Sequence, residues 1–312
     1  MRIGVVGPGG VGGYYGGMLA LGGAEVTFMA RGKTLEALSQ NGLTLHFEKG
    51  ESKHVDVRAL PAAEFAKAGP FDLILWCVKS YQNQAAAEGL DALAVPGCYW
   101  LPLQNGVETE DFLRERFPHA EILGGTCYVS ALTEAPGVVR HFASGIITLG
   151  DIGYSDPEKT PEAIEKIATA LTEAKIQTIR SQDIRADKWR KLVWNASLNT
   201  LSAISGCSPL ELLGREETRE LVRRAMYEVV DVAQASGIAL DYKHADRHIQ
   251  ATMGLPDVRT SMAWDVSANR PVEHEALCGV VVKMGEAAGV PTPTLRIFYT
   301  LLDLYEERRK KQ

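Results

Sequence analysis

The sequence contains no C-x-x-C pair, although it holds five cysteines, Cys77, Cys98, Cys127, Cys207 and Cys278. Their odd number and wide spacing argue against both a disulfide framework and a thiolate metal site, so a reducing cytoplasm is the expected setting and no metal is expected. No run is apolar over the roughly 18 residues a membrane span requires, and the opening MRIGVVGPGG lacks a basic flank leading into an apolar signal core. Neither export nor a membrane partner is therefore expected. A surplus of positive charge is missing too. The formal net charge of -6 argues against a dedicated nucleic-acid or anionic-membrane binder, while leaving room for a small local basic site. Internal repeats and low-complexity segments are also absent.

What the sequence does have is an ordinary globular balance, 46% hydrophobic and 23% charged residues over 312 positions, enough for two domains with substantial cores. Arg2 to Val6 is a β-prone run, the turn Gly7-Pro8-Gly9-Gly10-Val11-Gly12 follows at once, and Gly13 to Leu21 has the small residues of a tightly packed helix. Gly7, Gly9 and Gly12 fit G-x-G-x-x-G, in which the first glycine makes a tight turn, the second admits a pyrophosphate and the third lets helix and strand close up. The helix N-terminus then faces the phosphates. A strand is expected at Glu25 to Met29, followed by Arg31 where an acid usually holds the ribose 2′-hydroxyl of NAD. An arginine there suits a 2′-phosphate and hence NADPH, the plain alternative being an exposed loop arginine.

Further strands are expected at Phe71 to Val78, Cys98 to Leu103 and Ile122 to Ala131, giving an α/β fold with a doubly wound parallel sheet. Pieces at Gly137 to Phe142 and Ile146 to Leu149 suggest an antiparallel extension. Lys79 and Asn105 lie just past two strand ends, where open α/β sheets bind ligands. Each has a bland reading as well, a solvated loop lysine and an Asn-Gly turn. Pro161 to Ala174 is expected as a helix and Ile176 to Ile179 as a short strand. From Ser181 onward helical periodicity dominates, with helices at Ile184 to Ile204, Leu210 to Ser236 and His274 to Ala288, so the domains are expected at 1–180 and 181–312. The closing EERRKKQ has the pattern of a solvated, charged helix end.

Within the first of these helices, WRKLVWNASLN (189–199) spaces Lys191, Asn195 and Asn199 four apart among apolar neighbours. On an α-helix such a stripe drifts by only about 40° per step, so an ammonium and two amides project in nearly one direction. A lysine in a mostly buried helix needs a partner or a task. With a nicotinamide cofactor on the first domain, that task can be to protonate the oxygen of a ketone as it accepts hydride, the amides holding the substrate's other oxygens. A second polar cluster, Ser261, Asp265, Arg270 and Glu273, precedes the last of those helices. Glu273 can keep Lys191 charged or bind a substrate hydroxyl, and the segment can equally be an exposed loop with capping roles.

Taken together, GPGGVGGYYGG, Arg31, VKSYQ (78–82), LQNGV (103–107), WRKLVWNASLN and SMAWDVSANRPVE (261–273) resemble the 2-dehydropantoate 2-reductases, or ketopantoate reductases, over nearly the whole chain. The resemblance implies an N-terminal Rossmann-type domain, a C-terminal all-helical domain, and NADPH-dependent reduction of 2-dehydropantoate to (R)-pantoate on the way to pantothenate and coenzyme A. It implies Lys191 as general acid with Glu273 as the acid of the carboxy-terminal motif, and Asn105, Asn195, Asn199 and Ser261 around the substrate. Gly7 to Gly12, Arg31, Lys79, Gln82, Asn105 and Glu273 would serve the cofactor. Thr200, His274, Glu275 and Cys278 depart from the residues usual there, which leaves open another branched 2-keto acid as substrate; a further alternative is an NADPH-sensing protein without turnover, against which Lys191 and Glu273 argue, since a sensor need not keep a proton donor. A homodimer is left open as well.

Overall fold

The computed structural model describes residues 1–48 and 50–311. The chain divides into two compact units, one formed by Met1–Gln104 and Glu108–Ile184, the other by Asn105–Val107 and the chain from Arg185 onward. The division thus falls a few residues after the expected 180/181 boundary, and three residues following the 99–102 strand group with the helical unit.

In the first unit the strands are β1 (Arg2–Val6), β2 (Glu25–Met29), β3 (Leu43–Phe47), β4 (Ser52–Val55), β5 (Arg58–Leu60), β6 (Leu73–Trp76), β7 (Tyr99–Pro102), β8 (Glu121–Ala135), β9 (Val138–Tyr154) and β10 (Thr178–Arg180). Among the described residues these ten form one sheet in the order β4-β3-β9-β8-β7-β6-β1-β2-β5, with β10 added on β9. From β8 to β5 every pairing is parallel. The strand order reverses between β1 and β6, and such a switch point opens a crevice at the carboxyl ends of the strands. β8 and β9 pair antiparallel, and the two expected pieces at 137–142 and 146–149 are one long strand. Its positive φ at Ser144 and Gly145 bends the chain where the sequence suggested a break. The strands β3, β4 and β5 are additional to those expected: β3, Leu43-Thr44-Leu45-His46-Phe47, does alternate apolar and polar residues, whereas β4 and β5, of 4 and 3 residues, are too short to show a period.

The central strands are buried on both faces. Ile3, Val5, Leu73, Leu75, Leu101 and Leu123 close one core with Tyr15, Leu19 and Phe28, and Val6, Ile74, Trp76, Trp100 and Ile122 close the other with Phe65, Phe71 and Phe117. This two-sided burial is why their sequences are continuous apolar runs rather than alternating ones.

The second unit is helical. Its core gathers Leu192, Val193, Ala196 and Leu198 with Val229, Val230, Ala233, Leu277, Val281, Leu295 and Phe298. The expected 184–204 helix is α-helical over Ile184–Trp194, makes a π turn over Asn195–Asn199, and resumes as α-helix over Thr200–Ser205. The expected 210–236 helix is two, Pro209–Gly214 and Glu216–Ala235, the first opened by a capping box of Ser208 and Glu211. Two helices not anticipated lie at Tyr242–Met253 and Ser261–Ser267. The tail is not uniformly solvated: it ends the helix Pro293–Lys310, in which Glu306 is buried. Among the described residues, no helix is long and apolar enough to cross a membrane.

Candidate active site

The glycine turn lies at the switch point. Gly7 leaves β1 with φ +95, and a side chain there would strike the Val78 backbone nitrogen at 2.7 Å. Gly12 is buried, and a methyl group on it would collide with the Gly7 carbonyl oxygen and lie 2.9 Å from Cys77 Cβ. Gly9 behaves differently, being exposed with nothing within 4 Å of where a Cβ would stand. It also caps the helix Gly10–Leu21 with no side chain on the free N–H groups and no acid in the first turn. One glycine therefore turns, one packs, and one stands in open space at the start of a helix that no side chain caps. A helix end of this kind suits an anion, since the helix dipole adds partial positive charge there. The expected helix start at Gly13 is corrected to Gly10, so the turn's last glycine and Val11 already belong to the helix.

Arg31 is exposed at the N-cap of the helix Gly32–Asn41, which likewise has neither a side-chain cap nor an acid in its first turn. On the far side of the switch point, Lys79 opens a short 3-10 turn, Ser80–Gln82, and both Lys79 and Gln82 are half-buried. This turn is braced by residues that sequence reasoning passed over. Buried Gln104 donates Nε2 to Asn83 Oδ1 at 2.8 Å and to the Val78 carbonyl, and its Oε1 accepts from Thr109 Oγ1 at 2.8 Å. Trp76 Nε1 donates to the same Asn83 oxygen at 3.0 Å. The one signal for Gln104 is its place beside Asn105 in LQNGV.

All the residues expected around the substrate belong to the helical unit. Asn195 opens the π turn and Asn199 closes it, at 5% and 1% exposure. Asn195 Nδ2 donates to Asn105 Oδ1 at 3.4 Å. Asn105 also serves the Asn-Gly turn that was its bland alternative. Gly106 has φ +95, and a Cβ there would meet the Ala276 carbonyl at 2.7 Å. Asn199 Nδ2 donates to Ser261 Oγ at 3.4 Å, and its Oδ1 accepts the Met262 N–H at 3.1 Å. Ser261 is exposed and starts a helix, Ser261–Ser267, capped by Thr260, so the first part of the segment read alternatively as a loop is helical while residues 268–273 are turn and irregular chain. Lys191 is half-buried one turn before Asn195, and Glu273 is 7% exposed at the start of the 274–288 helical run.

That run also begins with a π turn, Glu275–Gly279, and the two π turns pack on each other. Such bulges insert a residue into a helix and are frequent at functional sites. The first modifies the expected stripe, because the wider turn takes back part of the roughly 40° drift an α-helix would impose between Asn195 and Asn199. Side chains occupy the displaced carbonyls: Thr200 Oγ1 donates to the Asn195 carbonyl at 3.1 Å and Ser197 Oγ to that of Val193 at 2.6 Å. Thr200, one of the departures, thus satisfies the π turn itself. Cys278, another, is a buried thiol that burial pushes up to about 12, so it stays protonated beside the second turn. Lys188, one helical turn before Lys191, is buried at 3% exposure and was not singled out. Among the described residues, no group of three or more His, Cys, Asp or Glu side chains could hold a metal ion.

A mostly parallel sheet with a glycine-rich turn at its switch point, followed by an all-helical unit, defines a Rossmann-type α/β protein with a helical second half. Residues 3–154 match the family described as ketopantoate reductase PanE/ApbA, and residues 183–306 match its C-terminal domain. The 2-dehydropantoate 2-reductase of Nostoc sp. is 29% identical over 99% of this chain and 96% of its own. A PanE/ApbA family ketopantoate reductase from Ralstonia eutropha superposes with a TM-score of 0.87 at 31% identity, covering 99% and 100% of the two chains. D-mandelate dehydrogenase, solved with NADH and anilino(oxo)acetate, superposes with a TM-score of 0.92 at 25% identity over 99% of each. The chain belongs to the ketopantoate reductase family, a family of oxidoreductases.

Proposed function

We propose that the protein reduces 2-dehydropantoate to (R)-pantoate with NADPH, a step toward pantothenate and coenzyme A. The observation that carries this reading is the pairing of Asn105 with Asn195 and of Asn199 with Ser261 on the helix that also bears Lys191. The four polar side chains and an ammonium suit a small 2-keto acid. Gly7 to Gly12 would hold the pyrophosphate and Arg31 the 2′-phosphate, with Lys79 and Gln82 beside the nicotinamide; Asn105 and Glu273 would also serve the cofactor. When bound, the reduced nicotinamide supplies the hydride.

In this reading Ser261 and the amides orient the substrate carboxylate and ketone, which converts binding into a near-attack geometry. Lys191 stabilises the negative charge growing on the ketone oxygen and transfers a proton from Nζ to it, forming the hydroxyl. The neutral amine then takes a proton from solvent. Glu273 favours the ammonium form of Lys191 between turnovers or accepts the substrate's hydroxyl.

A second reading, another 2-keto acid with a bulkier side chain, is favoured by two observations. The likeness to D-mandelate dehydrogenase is one. The other is Trp264, 44% exposed, one helical turn after Ser261. Steady-state reduction of 2-dehydropantoate, 2-ketoisovalerate and benzoylformate with NADPH and with NADH separates the two. A site that hydrogen-bonds the terminal hydroxyl discriminates against its absence by up to about 10⁴-fold, so 2-dehydropantoate should far exceed 2-ketoisovalerate in kcat/KM. Preference for benzoylformate would establish the second reading, and NADPH binding without turnover of any acid would leave a sensor.

A further inference from the structure

The carboxy-terminal helix holds an anionic group that the chemistry above does not use. Glu306 is 6% exposed, although it belongs to the charged run that closes the chain. Its Oε1 accepts the buried Val272 N–H at 2.9 Å, and its Oε2 takes Arg309 Nη2 at 2.8 Å. The two bonds outweigh the burial that would otherwise raise its pKa, and the carboxyl sits below the usual glutamate range. A buried carboxylate so held is a rigid anchor.

What it anchors is the residue before Glu273. The segment Arg270-Pro271-Val272 has few backbone groups with which to be fixed, because Pro271 has no N–H. Three of the others are held by groups outside the segment. The Arg270 N–H donates to the Asp265 carbonyl at 2.8 Å, and the Arg270 carbonyl accepts Tyr305 Oη at 2.9 Å. The Val272 N–H goes to Glu306. Two successive residues of the last helix, Tyr305 and Glu306, thus clamp the strip of chain that delivers Glu273, and Val272 itself is 3% exposed.

We propose that Glu306 is a positioning residue for Glu273: by holding the Val272 N–H it fixes where the Glu273 carboxylate stands, and Tyr305 assists through Arg270. This rests on the reading of Glu273 as a member of the reductase site. A carboxylate displaced by about 1 Å at such a site can cost on the order of 10²-fold in rate. Glutamine at 306 keeps an oxygen for Val272 and gives up only the charge toward Arg309, whereas alanine removes both.

The test is a double-mutant cycle in kcat and KM on the preferred 2-keto acid, with thermal unfolding recorded for every variant. Glu306→Ala should lower kcat/KM by about 10–10²-fold in the unmodified protein and by less than about 2-fold in Glu273→Gln, because residues acting through one group are not additive. Glu306→Gln should recover most of the loss. If Glu306→Ala does not fold, Tyr305→Phe provides the milder form, with a smaller loss that again disappears in Glu273→Gln. Equal losses in both backgrounds, no loss at all, or no recovery by glutamine would overturn the positioning role while leaving Glu273 in the site. Unchanged turnover in Glu273→Gln, or no turnover of any acid by the unmodified protein, would instead bring down the site reading and the inference with it.

Discussion

Asn199 holds the start of a neighbouring helix with both ends of one amide: Oδ1 takes the Met262 N–H at 3.1 Å and Nδ2 reaches Ser261 Oγ at 3.4 Å. Met262 is the second residue of that helix, and its N–H is among the donors a helix leaves without internal partners. Asn199 is therefore a cap supplied from another element, as well as a candidate substrate ligand. Asn199→Ala should destabilise the protein by about 1–3 kcal/mol, since it leaves a buried donor unpaired. Ser261→Ala removes only the longer contact from an exposed hydroxyl, and should raise KM with a thermal midpoint close to that of the parent. Denaturant unfolding and substrate saturation curves on the two variants give the comparison; identical unfolding midpoints would deny the capping role.

The glycines of the turn should separate in the same way. Ala at Gly9 enters open space on a backbone with φ -80 that any residue adopts, so the fold should persist while NADPH affinity falls. Ala at Gly12 would meet backbone at Gly7 and Cβ of Cys77, and should cost about 1–3 kcal/mol in stability. Fluorescence titration with NADPH alongside thermal melts checks both, and a Gly9→Ala protein with undiminished affinity would remove the phosphate from this turn.

Arg31→Ala should weaken NADPH much more than NADH. The charged hydrogen bond lost is worth about 1.5–3 kcal/mol and has a partner only in the 2′-phosphate. Dissociation constants for the two nucleotides measure the difference, and equal losses would show that Arg31 does not read the phosphate.

Lys191→Ala should lower kcat by about 10²–10⁴-fold, the range for a positioned proton donor. Its thermal midpoint should stay near the parent's, because Lys191 is half-buried rather than enclosed. A collapse of the fold would make it a structural lysine.

Stability should also depend on pH through His248. Burial lowers its pKa below the ordinary histidine value, while Nε2–H donates to the Arg190 carbonyl at 2.8 Å. The unfolded chain therefore takes up the proton first as pH falls below about 6.5. The stabilisation is complete above that value and is lost as pH drops through the lower folded pKa. Unfolding midpoints between pH 8 and 5 should fall more steeply for the parent than for His248→Gln, and parallel curves would exclude the assignment.

Features that depend on short-range periodicity and local backbone demands were already written in the order of the residues. G-x-G-x-x-G, weak alone because glycine-rich turns occur in many folds, reads between an apolar strand and a small-residue helix as a tight strand-to-helix turn, and continuous apolar runs such as LILW imply strands covered on both faces. Polar residues four apart in WRKLVWNASLN were legible because helical spacing is local. The rest came from contacts between distant segments. Whether the helix there would widen into a π turn depends on the second π turn packed against it and on the Thr200 and Ser197 hydroxyls that take up the displaced carbonyls. Glu306 reads as part of a solvated charged tail because its neighbours are Glu, Arg and Lys; it is buried because a backbone N–H 34 residues earlier requires an acceptor. Hydrogen bonds of that kind join residues far apart in the chain, and no periodicity within a single helix records them.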